Sequence, residues 1–185
     1  MQPTRQRGLF RFSSCPSEGL ESRNTEKSAR AIPSLSVLLD PGDESSLQMT
    51  ITLKQYWKNR NVEHVTQLTP LIQTNAIETV RRANLLLTIY HAATGTREPD
   101  NVNSGWRPPS VNAATKGAAK NSPHLTAEAV DLSDDVEAID QWLATEKGRQ
   151  ALVACDLYAE LASATPRWSH LQTRKTASGR RIFKP

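Results

Sequence analysis

The segment Asn121–Leu132 reads NSPHLTAEAVDL and places a histidine and an aspartate seven residues apart, where a turn runs into an alternating pattern. Pro123 and the alternation after Thr126 predict a loop that leads into a β-strand. In a helix, His124 and Asp131 would lie about 10 Å apart along the axis, which is awkward for two ligands of one ion. In a loop and strand, His124 can fold back over Asp131, so this segment could hold part of a metal site.

The chain contains four histidines and two cysteines. Cys15 and Cys155 lie far apart and form no CxxC pair, so neither a disulfide framework nor a thiolate zinc site is supported. Catalytic zinc usually takes three ligands from His, Asp and Glu and keeps a fourth position open. His124, Asp131 and His170 could supply that set. The alternative is a turn histidine at 124 and an aspartate at 131 that bonds to nearby amides.

Helical periodicity is clearest over residues 70–93, where Thr69 can cap a helix, Pro70 suits its first position and Gly95 suits its exit. Its expected apolar face is broad. This face contains Leu71, Ile72, Ile77, Val80, Leu86, Leu87 and Tyr90. Residues 94–123 are predicted to form a loop.

The second half of the chain mixes both periodicities. Ser133 can cap a helix that begins at Asp134 and Asp135, and a second helix is expected over 146–155. The apolar stripe of the first consists of Val136, Ile139, Trp142 and Leu143. Residues 127–132, 156–161 and 167–173 are predicted strands, and in the last Trp168, His170 and Gln172 share a face. This order predicts an α+β fold with a small antiparallel sheet and packed helices.

The N-terminal residues 1–48 are rich in Ser, Pro, Arg and Glu and are predicted to be disordered or a mis-annotated extension, with translation starting at Met49. One domain is expected over 49–185. No apolar run is long enough for a membrane span, and no secretory signal is recognisable, so synthesis in the cytoplasm is expected. A net charge of +4 and a pI of about 9.3 are typical of a protein attracted to a polyanion, whether nucleic acid, an anionic membrane surface or a bacterial wall polymer.

Three motifs add a resemblance to a known family. Ser122, His124, Ala129 and Asp131 fit the S-x-H-x-x-G-x-A-x-D signature of the M15 zinc D-Ala-D-Ala carboxypeptidases and peptidoglycan endopeptidases. SGWRPPSVNAA at 104–114 resembles the segment that precedes this signature, and RWSHLQ resembles the W-x-H segment that ends it. The motifs occur in the family's order over residues 84–185. The ending SGRRIFKP is similar to small phage and prophage members.

The resemblance implies a hedgehog/DD-peptidase-like fold and a phage or prophage lytic enzyme. It gives the Zn²⁺ ligand roles to His124, Asp131 and His170, and it gives Arg107 contact with a substrate carboxylate or carbonyl, which suits its planar fork of donors. The implied substrates are the stem peptides of bacterial peptidoglycan. Such an enzyme would act at the host wall, during lysis or from a virion, and is expected to be a monomer.

Two positions depart from the family pattern. Ala127 replaces the glycine of the signature, a mild change if this position needs no positive φ. Many relatives carry Glu or Asp three residues before the last histidine, where this chain has Arg167. Glu160, ten residues before His170, is the best substitute as catalytic base if a hairpin returns it to the metal. Glu128 is the second candidate, although alternation points it to the opposite face.

Two other functions fit parts of the sequence. An inactive wall-binding or virion structural protein of the same fold is favoured by Arg167 at the usual carboxylate position. Nucleic-acid binding would rest on the basic tail RKTASGRRIFKP, but this tail has one aromatic residue and no reading module, so no nucleic-acid partner is expected.

Overall fold

The computed structural model describes residues 50–96 and 100–185 of the chain. The predicted N-terminal extension, residues 1–48, lies outside the described residues. Within the described ranges the protein has an α+β architecture, as the sequence predicts, with six α-helices and one five-stranded sheet. None of the described helices combines the length and apolar character that a membrane span requires.

The elements follow one another in a mixed order. The helices are α1 (Leu53–Trp57), α2 (Arg60–Glu63), α3 (Pro70–Thr94), α4 (Pro109–Ala114), α5 (Ala138–Leu143) and α6 (Glu146–Ala154). The strands are β1 (Val102–Ser104), β2 (Ala129–Ser133), β3 (Tyr158–Glu160), β4 (Trp168–Gln172) and β5 (Ile182–Phe183). Short 3₁₀ helices occupy Val65–Gln67, Pro123–Thr126 and Ala162–Ala164.

The sheet has the strand order β1-β2-β4-β3-β5 and is mixed. Four strands pair antiparallel as expected, but β5 pairs parallel with β3, so the prediction of an antiparallel sheet is wrong at this edge. After β4 the chain crosses to the far edge of β3 and pairs with it there as β5. Arg181 fixes this crossing, because its guanidinium bonds to Asp156 Oδ1 at 2.8 Å and lies 4.3 Å from the Tyr158 ring centroid.

Helix α3 confirms the predicted boundaries. Thr69 Oγ1 accepts a hydrogen bond from the Ile72 amide at 3.2 Å, and Gly95 ends the helix at φ 73°. The apolar face is narrower than predicted, because Leu71 is 66% exposed and Ile77 is also exposed. The helix therefore packs through its middle and C-terminal turns.

Helix α5 begins at Ala138, so the predicted start at Asp134 and Asp135 is wrong. The Asp134 carboxylate accepts from the amides of Ala138 (2.7 Å) and Asp140 (3.2 Å), which holds the preceding residues in a turn. Val136 lies in this turn and is 76% exposed, whereas the other three residues of the predicted stripe are buried. By contrast, α6 agrees with its prediction to within one residue.

The region predicted as a loop, residues 94–123, contains β1 and α4. Both elements are too short for a periodic pattern to be visible in the sequence. The basic tail contains β5, a strand of two residues that was also missed. These three elements are defined by their tertiary contacts rather than by local composition.

The two faces of the sheet have different roles. Val130, Leu132, Ala159 and Leu171 point to the hydrophobic core, where α3 packs against α1, α6 and β2. Trp106 is fully buried in the same core. Asp131 and His170 alternate with these residues and therefore point to the opposite face.

Candidate metal centre

Asp131 and His170 are brought together by strand register. They are direct partners in the antiparallel pair of β2 and β4, and Ser104 of β1 lies opposite Asp131 on its other side. Because Ala159 pairs with Leu171, the next residue of β3, Glu160, lies beside His170. Ser104, Asp131, His170 and Glu160 thus form one row across four strands on one face of the sheet.

His124 reaches this row from the 3₁₀ helix that precedes β2. The Ser122 hydroxyl accepts from the His124 amide at 3.3 Å, and the His124 carbonyl accepts from the Arg107 amide at 3.0 Å. The imidazole is 2% exposed. Pro123 at the first helical position favours this turn. The predicted loop before the strand therefore contains a capped turn that folds His124 back over Asp131.

The three predicted ligands lie close together. His170 Nδ1 is 2.7 Å and His124 Nε2 is 3.2 Å from Asp131 Oδ1. One ligand atom from each residue lies within 4.8 Å of the other two, and all three side chains are buried. A buried group of this kind could hold a metal ion.

Hydrogen bonds on the outer side of each histidine determine which nitrogen faces Asp131 with a lone pair. His124 Nδ1 is 2.7 Å from the Gly105 carbonyl, which can only accept, so Nδ1 carries the hydrogen. The Gln172 amide donates to the Arg174 carbonyl at 2.6 Å, which turns its Oε1 towards His170 Nε2 at 3.3 Å. In the neutral imidazoles, His124 Nε2 and His170 Nδ1 are then both acceptors.

Two imidazole lone pairs and a carboxylate oxygen therefore converge on one point. Asp131 Oδ1 lies 2.7 Å from His170 Nδ1 and 3.2 Å from His124 Nε2, and acceptors this close repel unless a cation lies between them. A proton can be shared between Asp131 and one imidazole, but a metal ion can bind all three acceptors at once. The chemistry of this donor set therefore fits a divalent metal ion.

The charges of these residues are strongly coupled. Burial lowers the pKa of His124 below its ordinary value. Burial also opposes protonation of His170, but the hydrogen bond and charge of Asp131 raise the pKa of His170. For Asp131, burial disfavours the carboxylate, and His124 followed by His170 outweigh it and hold the pKa well below its ordinary range. Asp131 is therefore ionised, as a metal ligand must be.

Arg107 lies against Asp131. Its NH2 donates to Asp131 Oδ2 at 2.5 Å and its Nε donates to Ser104 Oγ at 2.8 Å, and the side chain is 13% exposed. Oδ2 is thus occupied, which leaves Oδ1 for the two histidines. The predicted contact between Arg107 and a substrate stays a prediction.

The carboxylates considered as catalytic base occupy different places. Glu160 Oε1 lies 3.9 Å from His170 Nε2, its side chain is 19% exposed, and burial raises its pKa. Glu128 instead bonds to Arg174 at 2.6 Å. Arg167 is 74% exposed and pairs with Asp135, away from the cluster. Among these three positions, Glu160 is the one beside a candidate ligand, and it lies next to His170 Nε2, the ring nitrogen that does not face Asp131.

Ala127 adopts φ 58°, so the position where the family signature has glycine does need positive φ. The replacement of glycine by alanine was expected to be mild only without a positive φ, so it is not mild here. An alanine in this region costs about 1–2 kcal/mol of backbone energy. Hydrogen bonds from the buried hydroxyls of Tyr56 (3.0 Å) and Thr79 (2.9 Å) to the Ala127 carbonyl help to hold this conformation.

Sequence reasoning missed several residues that support the site. Gln172 was placed on the same strand face as His170, which was a usable signal. Gly105 lies within the SGWR motif, and a Cβ atom there would be 2.1 Å from the Tyr56 carbonyl oxygen, so only glycine fits. Ser104 opens the SGWR motif but was given no role, although it accepts from Arg107 three residues later. Arg60 carried no local signal, because its contact with Trp106 spans 46 residues.

Comparison of the chain with protein-family models, with curated proteins and with solved structures returns no match. The resemblance to M15 peptidases therefore rests on the motif residues alone.

Proposed function

We propose that this protein is a zinc-dependent peptidase that hydrolyses peptide bonds in bacterial peptidoglycan, as a D-Ala-D-Ala carboxypeptidase or an endopeptidase of phage or prophage type. The observation that carries the proposal is the buried convergence of His124 Nε2, Asp131 Oδ1 and His170 Nδ1. Two histidines and one carboxylate are a common ligand set of catalytic zinc. The choice of substrate rests on the motif resemblance.

Each residue of the site has a role in this proposal. His124, Asp131 and His170 would hold the metal. Zinc, when bound, supplies a Lewis acid that polarises a carbonyl group and makes water more acidic. Glu160 takes the proton of the attacking water and returns it to the departing nitrogen. Its position beside His170 supports this role.

An inactive wall-binding or virion structural protein remains the second candidate. Arg167 favours it, since this exposed residue stands where relatives carry a carboxylate. The two candidates share the metal site and differ in whether Glu160 acts as a base. They can therefore be separated by one pair of measurements.

The first measurement is the zinc content of the full chain by elemental mass spectrometry, beside a His124→Ala variant. About one zinc per chain, lost in the variant, is expected from a three-ligand site. Hydrolysis of purified peptidoglycan then tests Glu160→Gln, for which a rate loss of about 10²- to 10⁴-fold with zinc retained is expected. Glu146→Gln, at an exposed site on α6, is the matched control and should leave the rate unchanged.

The outcomes separate the candidates. Absence of bound zinc after zinc is supplied would refute the peptidase. Zinc binding without hydrolysis by the wild-type chain would favour the structural protein. Equal rates for Glu160→Gln and the wild type would remove Glu160 from the mechanism.

A further inference from the structure

A second guanidinium lies next to the candidate metal centre. Arg60, at the start of α2, is half-buried, and its NH1 donates to the Trp106 carbonyl at 2.8 Å. Trp106 connects Gly105, which binds His124, to Arg107, which binds Asp131. Arg60 is therefore held against the segment that positions two of the three ligands.

The charges of Arg107 and Asp131 both act on Arg60. Burial and then the positive charge of Arg107 lower the pKa of Arg60, whereas Glu63 and Asp131 raise it. A guanidinium keeps its charge at any physiological pH despite such shifts. Arg60 thus adds a permanent positive charge, held on the Trp106 carbonyl between Gly105 and Arg107, that no motif revealed.

Arg60 and Arg107 differ in how many of their donors are engaged. Arg107 uses two nitrogens, on Asp131 and Ser104. Within residues 50–96 and 100–185, the Trp106 carbonyl is the hydrogen-bond acceptor that Arg60 uses, so its NH2 and Nε remain available. A planar fork with free donors is suited to bidentate binding of a carboxylate.

The charge of the loaded site also favours an anionic group. Two guanidiniums and a divalent ion carry four positive charges, and Asp131 and ionised Glu160 carry two negative ones. A site with this excess attracts a negatively charged part of a substrate. In a peptide, the group that meets this requirement next to a terminal scissile bond is the free α-carboxylate.

We propose that Arg60 binds the C-terminal α-carboxylate of the peptide substrate, which makes the protein a carboxypeptidase rather than an endopeptidase. This inference rests on the proposed function. It assigns Arg60 to substrate recognition and leaves Arg107 to position Asp131.

The test compares an N-acylated peptide that ends in D-Ala-D-Ala as a free acid with the same peptide as a C-terminal amide. Binding is measured by calorimetry on the full, zinc-loaded chain carrying Glu160→Gln, so that turnover does not interfere. The acid is expected to bind about 10- to 100-fold more tightly than the amide, the usual effect of a charge-assisted hydrogen bond. Adding Arg60→Gln should abolish this preference, and Arg60→Lys should restore part of it.

Arg180→Gln, at an exposed arginine of the tail, is the matched control and should keep the preference. Equal affinity for acid and amide in the Glu160→Gln chain, or no binding of either, would overturn the assignment of Arg60. Retention of the preference in the Arg60→Gln chain would overturn it as well. Hydrolysis by the wild-type chain decides the proposed function separately, because binding of the acid does not depend on turnover.

Discussion

The two oxygens of Asp131 have different partners. Oδ1 faces both histidines, whereas Oδ2 accepts the short bond from Arg107. Residues that hold a ligand from behind determine its orientation and basicity, and their loss commonly weakens metal binding. Arg107 therefore acts on the candidate metal site through Asp131.

Substitution Arg107→Lys tests this role. Lysine keeps the charge but loses the fork that joins Asp131 to Ser104, so zinc affinity should fall about 10- to 100-fold. Competition with a chromophoric chelator measures this affinity, with Arg167→Lys as the control at an exposed arginine. Unchanged zinc affinity with a raised KM would instead assign Arg107 to substrate contact, as the motif predicts.

Helix α5 and strand β4 meet through three buried polar residues. The Ser169 hydroxyl lies 3.0 Å from Asp134 Oδ2 and 2.7 Å from Asp140 Oδ1, but it has one hydrogen to donate. Asp140 Oδ2 has no hydrogen-bond partner among the described residues. Burial, with added repulsion from Asp134 and Glu137, raises the pKa of Asp140 to about 6.

This contact between elements makes stability depend on pH. An unfolded aspartate titrates near pH 4, so between about pH 4 and 6 the folded state holds a proton that the unfolded state has released. The stability from Asp140 is therefore complete below pH 4 and is lost as the pH rises through about 6. The shift of about two pKa units corresponds to at most about 3 kcal/mol.

Asp140→Asn should remove this loss, because asparagine keeps an acceptor for Ser169 without a charge. The free energy of unfolding of the variant, relative to wild type, is expected to rise between pH 5 and pH 8 by about 1.4 kcal/mol, because about half of the full loss has already occurred at pH 5. Urea denaturation at both pH values measures it, with Asp135→Asn as an exposed control. An equal difference at both pH values would contradict the proposed titration.

The three candidate metal ligands come from parts of the chain that are distant in sequence. His124 lies in a turn before β2, Asp131 in β2 and His170 in β4, 39 residues later than Asp131. A ligand that binds the folded state alone stabilises it by mass action. Zinc should therefore stabilise the entire fold and not only the site.

Thermal unfolding measured with zinc and with a chelator tests whether zinc stabilises the whole fold. At a free zinc concentration 100-fold above its Kd, about 2.7 kcal/mol of stabilisation is expected, which corresponds to a Tm increase of about 5–10 °C. His124→Ala should lose the increase. The same Tm with zinc and with chelator in the wild type would show that the three ligands bind no zinc.

Local signals in the sequence were sufficient for several elements. Thr69 and Gly95 predicted the ends of α3, and alternation in AEAVDL and RWSHLQT predicted the strands observed as β2 and β4. Caps and side-chain periodicity depend on residues only a few positions apart. The start of α5 was not predictable, since the Asp134 side chain displaced the expected cap. Strand β5 could not be predicted either, because a strand of two residues is too short to show an alternating pattern.

Side-chain periodicity predicted the α+β class, and the order of the motifs named His124, Asp131 and His170 as candidate ligands. Three facts are visible only in the folded chain: Glu160 lies beside His170, Gln172 and Gly105 contact the two histidines, and Arg60 donates to the Trp106 carbonyl. These facts depend on strand register and on contacts between residues up to 46 positions apart. No local pattern encodes such pairings, since they form only when the whole chain packs.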